Sequence, residues 1–191
     1  MSEGMNRRTV LAQIAAATFA GPIGIAQAQH VHHAAAAEAK TTGVYQPKVL
    51  THHEFATLRL LCETIVPGAS KGGAAEFVDI LADKNAELLA IYTGGIAWLD
   101  QRMKLDYGTD FLTAKPPDRT QMLDKIAYRK NETPELAPGI RFFVWARRLT
   151  VDAYYSSAAG IKELGFMGNG ARKEFTVPQD AIDYAVKRSG L

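Results

Sequence analysis

The stretch "IRFFVWARRLTVDAYY", Ile140–Tyr155, constrains the architecture more than any other part of the chain. Phe142, Phe143, Trp145, Ala146, Leu149 and Tyr154 recur at helical spacing, so they share a broad apolar face. A helix of this kind gains most of its stability by burying that face. The chain must therefore supply other helices to cover it, and its flanks carry the matching patterns.

Thr51 followed by Glu54 forms a capping box ahead of an apolar stripe through Phe55, Leu58, Cys62 and Ile65. That helix is expected to stop before Pro67, because proline disfavours the helical state at Val66. "PGASKGGA" reads as a loop. A short helix follows over "AAEFVDILAD", with Phe77, Ile80 and Leu81 inward. A longer one from Asn85 to about Leu105 carries Leu88, Leu89, Ile91, Tyr92, Ile96, Trp98, Leu99 and Met103, with a kink expected at Gly94-Gly95. Another runs from Pro117 to about Arg129, since proline loses nothing in a helix's first turn. The aromatic helix then extends to about Ala158. A polar, glycine-rich stretch, Gly160 to Phe175, leads to a last short helix from Pro178 to about Lys187. No alternating strand pattern competes, so the expected fold is all-α, a single small helical bundle over residues 50–191.

What precedes the bundle reads as an address. Arg7 and Arg8 are followed by an apolar run from Val10 to about Ile25, diluted by Gly21, Pro22 and Gly24. Gly-Pro in its middle argues against a membrane span. Ala26-Gln27-Ala28 offers a small-x-small cleavage site, placing the cut between Ala28 and Gln29. The paired arginines suggest the twin-arginine route, with Asn6 where Ser or Thr is usual; a general secretory signal with two arginines is the alternative. Residues 1–28 are thus expected to be an export signal, the localisation periplasmic, and residues 29–49 a flexible leader.

Removing 28 of 191 residues leaves 163, enough for one sizeable core. Charge is close to balanced, 22 basic against 20 acidic residues in the whole chain, which gives no sign of a nucleic-acid surface. Cys62 is the one cysteine, so an internal disulfide is excluded; it is either a small buried hydrophobe or a contact to another chain's thiol.

The chemistry of known motifs is thin. No cysteine pair, phosphate loop or nucleophile elbow occurs after the leader, and "GFMGNG" lacks the strand-turn-helix setting of a dinucleotide site. His30, His32 and His33 could bind a metal but lie in a stretch that reads as a solvated tail. His52, His53 and Glu54 point about 100° apart on a helix and cannot converge without help from elsewhere. Glu63 and Glu76-Asp79 read as solvated, with an interface position open for the carboxylate in "ETIVPG". Arg141, Arg147 and Arg148 beside aromatics fit either a binding surface or arginines snorkelling past a core stripe.

Three segments resemble the small subunit (subunit 3, or gamma chain) of the gluconate 2-dehydrogenase type: "FATLRLLCETIVPGA", "AAEFVDILAD" and "FFVWARRLTVDAYYSSAAGIKELGFMGN". They present the Thr64-Ile65-Val66-Pro67 turn, the Glu76-Phe77-Val78-Asp79 helix and the Gly165-Phe166-Met167-Gly168-Asn169 turn in the family's order, over about residues 50–170. The resemblance implies an accessory role. It implies a chain with no catalytic residues, cofactor or metal of its own, partnered by a large FAD-dependent dehydrogenase subunit of the glucose-methanol-choline type. A cytochrome c subunit carrying haem c often completes such complexes. It further implies that the twin-arginine translocase exports both chains on this leader, because a flavin must be inserted before export. The expected site is then an interface involving Trp145, Tyr154, Tyr155, Phe166 and Asn169, with Cys62 as an outside candidate. Two other readings stay open: a stand-alone exported helical enzyme using metal-binding histidines, and a periplasmic binding or structural protein without a flavoprotein partner.

Overall fold

The computed structural model describes residues 25–42, 44–165 and 177–189. They form eight α-helices and no strand. In chain order these are α1 (Ile25–Thr42), α2 (His52–Ile65), α3 (Ala74–Asp83), α4 (Ala86–Tyr107), α5 (Pro116–Ile126), α6 (Ala137–Ser156), α7 (Ala158–Glu163) and α8 (Gln179–Ser189), with one 3₁₀ turn at Arg129–Asn131. The all-α expectation holds.

The helix ends follow the local chemistry. Thr51 accepts from the Glu54 amide while Glu54 Oε2 accepts from the Thr51 amide at 2.8 Å, a closed capping box at the start of α2. Val66 leaves that helix in an extended conformation ahead of Pro67. Asn85 caps α4 by accepting from the Leu88 amide at 2.8 Å. At its far end Gly108, at φ 74°, takes the left-handed conformation that lets the chain turn away.

The pair α4 and α6 forms the spine. Tyr92 lies against Trp145, Gly95 against Phe142 and Trp98 against Gly139, so the two helices run antiparallel. The crossing is close because each helix offers a glycine to the other's ring. A Cβ on Gly95 would stand 2.1 Å from Phe142, and one on Gly139 would stand 2.1 Å from Trp98. The expected kink at Gly94-Gly95 is therefore corrected: α4 runs unbroken, and Gly95 serves a ring contact. Around this spine Leu58 and Leu61 of α2, Phe77 and Val78 of α3, and Met122 and Ile126 of α5 close one core. In α3 it is Val78 and Asp79 that join Phe77 inside, while Ile80 and Leu81 are only half-buried.

α1 crosses the boundary between the expected signal (1–28) and the expected leader (29–49), and it packs on α3 and α6. Its contact face consists of Ala28, Val31, His32 and Ala35, small residues plus one ring, and that is why no amphipathic period marked it. Alanine's high helix propensity supplies the rest.

A candidate partner interface

The outer face of α6 carries a seam of unusual composition. Arg141, Val144, Arg148, Val151 and Tyr155 follow one another at alternating spacings of three and four, with Trp145 beside them. This is the periodicity with which a helix meets a partner helix or groove. Val144 is 52% and Val151 38% exposed, although both lie on the helix whose opposite face forms the core. Trp145 is half-buried, and the Arg148 guanidinium sits over its ring at 5.9 Å. Toward α4 the seam opens into a shallow groove of about 320 Å³ lined by both tryptophans of the chain, Trp98 and Trp145, with Ile91 and Arg141. Arginine and exposed aromatics around aliphatic residues are what interface cores concentrate.

One acid stands next to this seam. Burial pushes the Asp152 carboxyl above the usual range against the pull of Arg148, whose Nε is 3.9 Å from Asp152 Oδ2; that oxygen accepts no hydrogen bond among the described residues.

The expected interface residues fall into three groups. Trp145 and Tyr155 lie on the seam. Tyr154 does not: it is buried, donates to Glu163 Oε2 at 2.5 Å, and lays its ring under Gly68 and Gly72. Its pKa is raised, first by that hydrogen bond to Glu163. Cys62 is also withdrawn from the interface. It is 1% exposed, 3.2 Å from the Thr150 hydroxyl, and burial pushes its thiol up to about 12. Phe166, Asn169, Arg7 and Arg8 lie outside the described residues. The backbone between Ala28 and Gln29 is helical, inside α1.

The remaining ionisable groups turn out to be mostly structural. Asp79, read as solvated, is fully buried and accepts from Tyr45 Oη (2.7 Å) and from the amides of Lys48 (2.7 Å), Val49 (3.3 Å) and Leu50 (3.1 Å). It pins the segment leading into α2 onto α3. Glu76 and Asp79 are one turn apart on α3, yet only Asp79 turns fully into the core. Glu63 clamps the following loop by accepting from the Gly68 and Ser70 amides at 2.8 and 2.9 Å, and these bonds hold its carboxyl below the usual range.

His53 does find help from elsewhere. Its Nε2 lies 2.6 Å from Oδ2 of Asp100 on α4, and Asp100 Oδ1 accepts from the Phe111 amide at 3.0 Å. One signal for this was readable: Asp100 follows Leu99 in the buried stripe of Ile96, Leu99 and Met103, where a lone acid needs a partner. His52 and Glu54 do not join the pair. In α1, His30 and His33 face outward, while His32 turns inward against Phe77 and Ser156, with burial lowering its pKa. Among the described residues no group of three His, Cys, Asp or Glu side chains could hold a metal ion.

The core that buries Cys62, Phe77 and Asp79 and aims Trp145 outward is assembled from the segments that carried the sequence resemblance. A family model for gluconate 2-dehydrogenase subunit 3 matches residues 52–171. The chain belongs to that family. Its match spans α2 through α7, so the seam on α6 lies within the family domain, whereas α1 and α8 lie outside it. No curated protein and no solved structure matches the chain. A gluconate 2-dehydrogenase subunit 3 is by description one subunit among others, so partner subunits are implied.

Proposed function

We propose that this chain is the non-catalytic small subunit and export escort of a periplasmic FAD-dependent dehydrogenase of sugars, sugar acids or polyols, and that it docks the large subunit on the outer seam of α6. The observation that carries this reading is the Arg141–Val144–Arg148–Val151–Tyr155 seam with Trp145, whose Val144 and Val151 stay exposed among the described residues, in a chain that belongs to a subunit family. Two arginines, Arg141 and Arg148, against Asp152 give the seam a positive balance. The complementary surface on the large subunit is then apolar with acidic residues at its rim.

The Arg7-Arg8 leader supports the escort role through the chemistry of the cargo. A flavin is inserted into a folded protein, so a flavoprotein must cross the membrane folded. One leader suffices for two chains that leave as a complex. A cytochrome c subunit would complete electron transfer toward the membrane.

The test is affinity purification of the chain from periplasm, with a flavin spectrum and identification of co-purifying chains. The wild-type protein should yield a yellow complex with a large subunit, and Arg7→Lys/Arg8→Lys should remove both chains from the periplasm. Trp145→Ala with Arg148→Glu should leave a folded small subunit without its partner. Truncating an aromatic anchor of this kind costs roughly 2 kcal/mol or more of binding. A colourless single chain, still exported with the arginines replaced, would sink the reading.

A further inference from the structure

Of the three histidines in α1, one is placed differently from the others. His30 and His33 are exposed, whereas His32 turns onto the body of the bundle. Its ring lies 5.1 Å from the Phe77 ring of α3, centroid to centroid, and its Nε2 is 3.1 Å from Ser156 Oγ of α6. One side chain thus touches both of the helices on which α1 packs. The Ser156 hydroxyl is directed at the Asp152 and Ala153 carbonyls, at 2.6 and 3.2 Å, so its oxygen is left to accept from His32. The other members of the contact face, Ala28, Val31 and Ala35, are small, and the imidazole is the largest group α1 puts into the contact.

This seat suits a neutral ring. Burial lowers the His32 pKa; a hydrogen bond with the Ala153 backbone works against that, and the neighbouring His33 adds to it. The other charged groups around the ring divide by sign. Glu76 of α3 lines the same cleft as His32 and favours the proton, while Arg59 of α2 and Lys71 of the following loop line it too and oppose it, as does His52 when charged. On α6, the carboxylate one turn before Ser156 is that of Asp152, which lies 3.9 Å from Arg148. The cleft is open to solvent, so a proton reaches the ring without the helix first coming away.

We propose that His32 is a proton-operated latch: α1 stays docked on α3 and α6 while the imidazole is neutral and is released when it is protonated. In the released helix the ring has its ordinary value of about 6.5, and in the docked helix a lower one. Above about pH 6.5 both forms are neutral and docking is at full strength. As the pH falls below that, the released helix takes the proton first, and docking weakens until the pH passes the lowered value. Release uncovers the Phe77 ring and the Ala153–Ser156 edge of α6. The latch needs no residue of the α6 seam, so it stands or falls apart from the proposed function.

Hydrogen exchange on the full chain tests it, read by mass spectrometry on peptides from α1 and corrected for the intrinsic pH dependence of exchange. Between about pH 7.5 and about pH 5 the protection of α1 should fall at least about threefold, while that of α4 should not. His32→Gln keeps an N–H for Ser156 and cannot be protonated, so it should hold α1 protected at both pH values. His30→Gln/His33→Gln should retain the wild-type fall. Imidazole NMR on the wild-type chain gives a readout that needs no variant: the His32 signal should titrate below about 6.5. Level protection of α1 in the wild type, or the same fall in His32→Gln, would overturn the proposal. So would a His32 signal that titrates at or above about 6.5.

Discussion

Gly95 and Gly139 invert an ordinary rule. In an exposed helix interior, glycine to alanine is worth about 1 kcal/mol of added stability. At these two positions the new methyl would meet the Phe142 and Trp98 rings at 2.1 Å, inside any tolerable contact. Either Gly95→Ala or Gly139→Ala should lower stability by about 2–3 kcal/mol, as overpacking does, while Gly94→Ala, with open space around it, should raise it. Urea melts of the three variants check the sign. Asp79 offers a second residue-scale prediction. Asp79→Ala would remove the shared buried acceptor of the Tyr45 hydroxyl and of the Lys48, Val49 and Leu50 amides and should cost about 3 kcal/mol. Cys62 offers a third. With its thiol pushed up to about 12, it should resist alkylation at neutral pH in the folded protein and react on unfolding. Because the folded value is raised, the unfolded chain gives up this proton first. This contribution to stability is present below about pH 8.5 and declines as pH rises toward 12.

At the level of elements, the sequence was most informative where a helix end had local chemistry. The Thr51–Glu54 box, the Val66-Pro67 stop and the Asn85 cap each depend on residues within four positions, so spacing alone located them. Gly95, Asp79 and Asp100 depend on partners 47, 34 and 47 positions away (Phe142, Tyr45 and His53), and no local pattern encodes those meetings. The interface shows the same division. Trp145 and Tyr155 stand on the seam, but Tyr154, one residue earlier, points about 100° away and into the core. Arginine and aromatic content marked α6 as a surface of interest, and only the packing of α4 decided which of its residues face out. The tie between α4 and α5 belongs at this scale too. Asp106 accepts from Lys125 at 2.9 Å and from Arg102 at 2.8 Å. Burial pushes its carboxyl up, but these two hydrogen bonds outweigh it and hold the pKa below the usual carboxylate range. Its contribution is present above about pH 4 and fades as pH falls through the lowered value. Asp106→Asn should flatten the acid limb of the pH–stability curve.

Across the whole molecule, the core built by α2 through α6 leaves four things at its margins: the seam on α6, the open cleft beside α2, α8 and α1. All the residues of α8 are exposed, with Ile182 and Val186 one turn apart at 39% and 46%. The fourth margin, α1, bears on the proposed export signal. Ala28 is 2% exposed and sits within a helix that packs on α3 and α6. Peptidases act on exposed, locally unfolded chain, which the docked helix denies them. A purified leader peptidase should therefore cut between Ala28 and Gln29 readily in a peptide spanning this bond and far more slowly in the folded protein. His32→Asp, four residues past the cut, should raise the rate in the protein and leave it unchanged in the peptide. Equal rates for peptide and folded protein would refute this. On the proposed export reading, undocking of α1 would set the time of cleavage, so a chain that keeps residues 1–28 would be one whose first helix has not yet let go.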